Sequence, residues 1–140
     1  MIDISHLTKI YPASGRDTTP VTALDDLNLH VDKGQVMGVI GPSGAGKTTL
    51  GRCLTLLERP TAGRIVVDGV ELTALQGPAL RSARRRIGVI FQAFNLMDAR
   101  TALGNVELPL LLADVPRPER RRRAMAALTR VGLADKAYVH

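Results

Sequence analysis

The sequence predicts an α/β fold, and three observations support this prediction. Alternating apolar and polar residues occupy the N-terminal part, as is typical of strands with one buried face. A short apolar run, VMGVI, leads directly into a glycine-rich loop, GPSGAGKTT. Beyond this loop, apolar residues recur at helical spacing. A strand, a loop and a helix therefore follow one another, which is the basic unit of an α/β domain.

The strands before the loop are indicated by their alternation. Ile2, Ile4 and Leu7 suggest a first strand, and a polar loop rich in Gly, Ser, Asp and Pro follows over residues 11–20. A second strand is predicted over residues 21–31, with Leu27, Leu29 and Val31 on one face. The run VMGVI, residues 36–40, is typical of a strand that is buried on both faces, as in a parallel sheet.

The elements after the loop are predicted in the same way. The spacing of Leu50, Cys53, Leu54 and Leu57 indicates a helix, which the Pro and Gly of residues 58–63 end. RIVVDGVEL predicts two short strands about an Asp68-Gly69 turn. Four further elements follow: a short helix over 77–84, a buried strand in RIGVIFQ (86–92), a broken helix over 95–112, and a helix over 116–133 with a stripe of Met125, Leu128 and Val131.

The composition excludes several classes of protein. Hydrophobic residues make up 45% of the 140 residues, enough for a core, and no apolar run reaches the roughly 18 residues that a membrane-spanning helix needs. The N-terminus, MIDISHLTKIYP, carries polar and acidic residues and is unlike a signal peptide. The single cysteine, Cys53, offers no disulfide framework, and its place on the helix stripe indicates a core thiol. We therefore expect a cytosolic location.

Much of the net charge of +6 lies in two arginine runs, at residues 83–86 and 117–123. Such runs either bind nucleic acid or form a solvated helix face. No aromatic residue lies within either run, so the sequence shows no surface on which bases would stack. We favour the solvated face and expect no nucleic-acid partner. A nucleotide triphosphate is a different polyanion that would also suit a basic protein.

The segment GPSGAGKTT has the complete G-x-x-x-x-G-K-T pattern of a phosphate-binding loop. Its glycines allow successive backbone N–H groups to point at phosphate oxygens, and the following helix adds its positive N-terminus. Lys47 would reach the outer phosphates, and the hydroxyl of Thr48 would ligate Mg²⁺. The predicted triphosphate site comprises Gly41, Pro42, Ser43, Gly44, Ala45, Gly46, Lys47, Thr48 and Thr49.

Two further residues are candidates for the same site. Gln92 ends a predicted strand, and strand ends are where the ligand-facing residues of α/β sheets occur. It could coordinate Mg²⁺, orient an attacking water, or be an ordinary polar residue at the end of a strand. Tyr11 follows the first strand and could stack on a base or be a partly buried tyrosine at the edge of a loop. His6, His30 and His140 are poor catalytic candidates, because two lie on or at the end of a strand and one is the last residue.

The sequence resembles the ATPases of ABC transporters in four blocks. These blocks are TKIYP, DDLNLHVDKGQVMGVIGPSGAGKTTL, LLERPTAGRIVVDG and RRRIGVIFQAFNL. The resemblance implies a P-loop NTPase fold, with an N-terminal antiparallel β subdomain and the phosphate-loop core in residues 1–92. Residues 93–140 would start the helical subdomain. It also implies that Tyr11 stacks on adenine, that Gln92 contacts Mg²⁺ and signals to membrane subunits, and that Lys47 and Gln92 serve in ATP hydrolysis.

Three segments are similar to the ATP-binding subunits of methionine importers. They are LLERPTAG, IGVIFQAFNLMDARTALGNVELPL and RVGLADKA. The resemblance implies a subunit that couples ATP hydrolysis to uptake as a homodimer enclosing two ATP molecules. Permease subunits would dock near residues 93–109, and a substrate-binding protein would act with them. The location would be the cytoplasmic face of the bacterial inner membrane. Two features depart from the pattern, namely a long loop over residues 12–20 and Ala93 where a larger side chain is common.

Three features that the family uses for hydrolysis do not occur before His140: a strand ending in Asp-Glu, a later histidine and a Ser-Gly-Gly-Gln signature. RIVVDG resembles the first, but Gly69 follows Asp68, and a hairpin turn explains it better. We expect the N-terminal half of an ATPase subunit, inactive alone and prone to aggregate through the edges of VMGVI or RIGVIFQ. Three alternatives remain: a nucleotide-binding module without turnover, the ATPase of another amino-acid importer, and a soluble ATPase of the same fold.

Overall fold

The computed structural model describes residues 1–13 and 19–140, so part of the predicted loop over residues 11–20 lies outside the described residues. The chain forms two compact units, Met1–Val89 and Ile90–His140. The sequence-based division at residues 92 and 93 refers to subdomains of a complete cassette and stays a prediction. Among the described residues, no helix is long and apolar enough to cross a membrane.

The first unit is built on a four-stranded antiparallel sheet in the order β2-β1-β3-β4. Its strands are β1 (Ile2–Tyr11), β2 (Val21–Val31), β3 (Ala62–Val67) and β4 (Val70–Glu71). The predicted alternation of β2 is confirmed, since Val31 is buried and His30 is exposed. The register pairs Ile2 with Val31 at one end of β1 and Tyr11 with Val21 at the other. The sheet thus sets Tyr11 beside the first residue of β2.

The predicted hairpin between β3 and β4 is confirmed. Asp68 and Gly69 form its turn with φ angles of 47° and 78°, and positive φ at both central residues is the requirement of a type I′ turn. The Oδ1 atom of Asp68 also accepts a hydrogen bond from the N-terminal ammonium of Met1 at 2.9 Å. This bond holds the pKa of Asp68 below its usual value. Asp68 therefore has a structural role at the turn, as predicted.

Helix α1 (Lys47–Leu54) packs Leu50 and Cys53 into the core beneath the sheet. The prediction that the apolar stripe extends to Leu57 is wrong, because the helix ends at Leu54 and Leu57 is 55% exposed. Leu56 adopts a φ of 50° and is only 2% exposed, so it enters the core instead. The core also contains Ile4, Leu7, Ile65, Leu72 and Leu80. Leu80 comes from α2 (Gly77–Arg84), whose bounds agree with the prediction.

The two buried strands predicted in VMGVI and RIGVIFQ are wrong. Neither segment is a strand, Val36 and Ile40 are each 95% exposed, and Ile90 is fully exposed. A strand needs a neighbour for its N–H and C=O groups, because the polar groups of a buried backbone are costly to leave unpaired. In the described part of the chain, the only sheet is the antiparallel one, and neither segment joins it. Both segments therefore expose the apolar side chains that a sheet would cover.

The second unit contains α3 (Ala102–Leu111) and α4 (Arg117–Arg130). Thr101 caps α3 by accepting a hydrogen bond from the N–H of Gly104 at 3.1 Å. The core of this unit consists of Leu103, Ala124, Leu128 and Ala137, with Met125 packed against it. The predicted stripe of α4 is confirmed for Met125 and Leu128 but wrong for Val131, which is 68% exposed because the helix ends before it.

The arginine run of α4 is engaged within its own unit. Glu119 accepts hydrogen bonds from Arg122 and Arg123 at 2.6 to 2.7 Å, and these two partners lower the pKa of Glu119 to about 2. Arg121 donates to the hydroxyl of Tyr138 at 3.0 Å, and Arg120 donates to the carbonyl of Val115 at 3.3 Å. These contacts support the interpretation of the run as a helix face.

Candidate functional site

Residues 43–49 of the glycine-rich loop line a pocket of about 260 Å³ in the first unit, whereas the predicted residues Gly41 and Pro42 are not among its lining residues. Gly46 lies close to β2. Its φ is 81°, and a Cβ atom there would lie 2.4 Å from the carbonyl oxygen of Ala23. Any side chain at this position would both strain the backbone and collide with β2. The last glycine of the motif is therefore required by the contact between the loop and the sheet.

The start of α1 offers unpaired backbone donors to the pocket. Gly46 is the N-cap residue, no side chain caps the helix, and its first turn contains no acidic residue. The first N–H groups of a helix have no partner within the helix, and they carry the positive end of its dipole. Together these features make the pocket suitable for an anion.

Lys47 bends back over the loop. Its Nζ atom donates to the carbonyl oxygens of Gly41 at 2.7 Å and Pro42 at 2.6 Å. An ammonium has three N–H donors, so these two bonds leave one for a ligand. The lysine therefore holds the loop in shape while its charge stays beside the pocket.

Three residues that the sequence did not indicate also line the pocket, namely Val21, Thr22 and Ala23 of β2. They carry no motif, and only the packing of the loop against the sheet places them there. The register of β1 with β2 pairs Tyr11 with Val21 and Ile10 with Thr22. Tyr11, which is half-buried, thus ends β1 directly beside a residue of the pocket wall. Tyr11 is not itself among the residues lining the pocket, and its stacking on a base stays a prediction.

Gln92 belongs to the second unit, whereas the phosphate loop belongs to the first. It does not end a strand, contrary to the prediction, because the segment before it is irregular. Its roles at Mg²⁺ and in signalling stay predictions.

Thr48 lies in the first turn of α1 and is exposed, so its hydroxyl is accessible to a ligand. Cys53 is fully buried, and burial raises the pKa of its thiol, which fits the predicted core role.

Residues 24–140 match the family model described as ABC transporter. The chain belongs to the ABC transporter family. This membership confirms the resemblance of the four sequence blocks to the ATPases of ABC transporters. An ABC ATPase domain implies nucleotide binding. The predicted fold class is confirmed as well, since the solved structures that this ABC-family chain resembles are ATP-binding cassettes.

Among known proteins, the chain is similar to methionine import ATP-binding proteins. It is 56% identical to MetN of Thermobifida fusca over 140 residues, which are 100% of the chain and 43% of that protein. It is 52% identical to MetN 3 of Pectobacterium atrosepticum, again over 140 residues, which are 100% of the chain and 40% of that protein. The chain thus spans less than half the length of the curated relatives it matches.

Two solved structures of MJ0796, a bacterial ABC transporter cassette, have the same fold. One is a dimer in a post-hydrolysis state bound to ADP and Pi, with 35% identity and a TM-score of 0.84. The other is also dimeric, with 36% identity and a TM-score of 0.85. Both comparisons cover 100% of this chain and 61% of the MJ0796 chain. The structural neighbours are therefore dimeric ABC cassettes.

Proposed function

We propose that this chain binds ATP with Mg²⁺ at the loop pocket and belongs to the energy-coupling subunit of a methionine importer. The observation that carries the proposal is the loop itself, in which Lys47 and the uncapped start of α1 surround a pocket of about 260 Å³. An anion there meets several N–H donors and a positive charge. The identity of 52 to 56% to methionine import proteins supports the choice of substrate.

The residues present fit a magnesium triphosphate. Backbone N–H groups of residues 43, 44 and 46–49 would hold the phosphates, and Lys47 would neutralise the outer ones. Thr48 and Gln92 would ligate Mg²⁺, which supplies positive charge that stabilises the transferring phosphoryl group. Tyr11 would stack on adenine, a role that its pairing with Val21 beside the pocket supports.

The proposed partners follow from the same family. A second copy of the subunit would complete the ATP sites, because the similar MJ0796 cassettes are dimers. Membrane permease subunits would dock near residues 93–109, where Phe94, Leu96 and Met97 are exposed. A substrate-binding protein would act through the permease. We propose a peripheral location on the cytoplasmic face of the bacterial inner membrane.

One observation favours nucleotide binding without turnover for the chain alone. In the described part of the chain, the residues lining the pocket include no carboxylate. Hydrolysis needs a group that orients or activates the attacking water and an acidic residue for Mg²⁺. We therefore expect the 140-residue chain to bind ATP and to release no phosphate above background.

Calorimetric titration with Mg-ATP tests the binding. Removing the Lys47 charge in Lys47→Ala should weaken binding by about 10- to 100-fold, because hydrogen bonds to charged groups contribute about 1.5–3 kcal/mol. Lys33→Ala is the matched control, since Lys33 is exposed and lies outside the loop. Equal affinity of the wild type and Lys47→Ala would refute the site.

Uptake tests the importer. A complete methionine ATPase subunit whose N-terminal part is replaced by these 140 residues should restore entry of labelled methionine in a host that lacks its own methionine ATPase subunit, and the same chimera with Lys47→Ala should not. The same exchange in the ATPase subunit of an importer for polar amino acids should not restore entry of its substrate. Restoration there and not in the methionine importer would indicate a different importer.

A further inference from the structure

Lys9 on β1 is a largely buried cation with a fixed position. Its side chain is 13% exposed, and its Nζ atom lies 2.8 Å from the Oε1 atom of Glu58. It also donates a hydrogen bond to the carbonyl oxygen of Arg59 at 2.8 Å. A charge that is mostly removed from water needs such partners, and their loss is costly. Lys9 is therefore held in place, unlike a surface lysine that samples many rotamers.

The segment that supplies these partners is itself fastened to β1. The N–H of Thr61 donates to the carbonyl of Thr8 at 2.8 Å, and the N–H of Ile10 donates to the Oγ1 atom of Thr61 at 2.9 Å. Arg59 donates in turn to the carbonyl oxygens of Thr73 and Leu75. The loop after α1 is thus hydrogen-bonded to β1 at both residues that flank Lys9.

The ammonium of Lys9 lies over the ring of Tyr11, 4.9 Å from its centroid. A cation within about 6 Å of a ring centroid is attracted to the negative face of the ring. An aromatic ring has two faces, and Lys9 occupies one of them. A base that stacks on Tyr11 must take the other.

We propose that Lys9 is a positioning residue for the nucleotide base, an inference that rests on the proposed function. Lys9 holds the ring of Tyr11, and β1 pairs Tyr11 with Val21, which lines the pocket. Ordering the ring before the nucleotide arrives removes part of the entropic cost of stacking. The cation also draws electron density from the ring, which favours stacking with an electron-rich purine. Lys9 thus affects the binding of the base, through Tyr11, and not the binding of the phosphates.

The test compares Mg-ATP with Mg-tripolyphosphate, which has the phosphates but no base. In the 140-residue chain, Lys9→Met keeps most of the side-chain volume and removes the charge. It should weaken ATP binding by roughly three- to tenfold, because the ring of Tyr11 is then ordered only when the nucleotide binds. Its affinity for tripolyphosphate should stay within about twofold of the wild type. Lys9→Arg should restore ATP binding, and Lys33→Met is the control for a lost lysine charge.

Two further variants keep the test decisive. The single variant Lys9→Met leaves the carboxylate of Glu58 without its cation, which would destabilise the chain. The double variant Lys9→Met with Glu58→Gln removes both charges and avoids this effect. In a Tyr11→Ala background, Lys9→Met should have no additional effect on the ratio of the two affinities. An unchanged ratio in Lys9→Met with an intact Tyr11 would overturn the inference. A wild-type chain that binds neither ligand would overturn the proposed function and this inference with it.

Discussion

Gly46 is subject to two constraints, a left-handed backbone and a close contact with β2. Gly46→Ala places a methyl group 2.4 Å from the carbonyl oxygen of Ala23 and requires an alanine at a φ of 81°. The left-handed backbone costs about 1–2 kcal/mol, and the collision adds about 1–3 kcal/mol. We expect the free energy of unfolding, measured by urea titration, to fall by roughly the sum of the two. Phosphate binding should be lost as well, because the start of α1 must shift.

Gly34 offers a matched control for this substitution. Its φ is 82°, but a Cβ atom there would meet nothing within 4 Å. Gly34→Ala should therefore lower the free energy of unfolding by only about 1–2 kcal/mol and leave tripolyphosphate binding unchanged. Similar losses in the two variants would mean that the contact between Gly46 and β2 has no part in shaping the pocket.

At the scale of elements, β1 and β2 share a pH-sensitive contact. His30 faces Asp3 across the two strands through its Nδ1 atom, and its Nε2 atom lies 3.1 Å from Asp32. The hydrogen bond with Asp3, then that with Asp32, raises the pKa of His30 above its ordinary 6.5. The folded state therefore retains this proton better than the unfolded state. Its contribution to stability is complete below about pH 6.5 and is lost as pH rises through the raised value.

Urea titrations of the wild type and His30→Gln between about pH 6 and pH 9 measure this contribution. The difference in the free energy of unfolding between them should shrink as pH rises. His140→Gln is the control, since the ring of His140 faces the backbone carbonyl of Asp98 instead of carboxylates. A difference that stays constant across this range would show that His30 does not retain its proton on folding.

The elements that sequence could predict depend on local interactions. The Asp68-Gly69 turn, helix α2 and the alternation of β2 follow from neighbours that lie close in the chain. The phosphate loop was predictable for the same reason, as its donors come from one segment. The pocket wall formed by β2 and the Lys9–Tyr11 contact were not, because both depend on register and on the path of a loop. Leu57 was misassigned because the helix ended one turn early.

At the scale of the whole molecule, the two apolar segments outside the sheet have the largest effect on how the chain behaves in solution. Strand formation in VMGVI and RIGVIFQ depends on long-range partners, and an apolar run alone does not provide them. The exposed residues Val36, Ile40 and Ile90 have strong β propensity, and such segments pair readily with other chains. We therefore expect the 140-residue chain to associate with itself as its concentration rises.

Sedimentation velocity over a range of concentrations measures this association. Ile40→Lys with Ile90→Lys should shift the distribution towards monomer, because a charge opposes the pairing of an exposed apolar segment with another chain. Val131→Lys provides the control, since Val131 is an exposed apolar residue next to a helix and outside both segments. Equal effects of the two variants would attribute association to general hydrophobicity. A wild-type chain that is monomeric at all concentrations and unfolds in one sharp thermal transition would contradict the prediction, since unpaired apolar segments of this kind should either associate or loosen the fold.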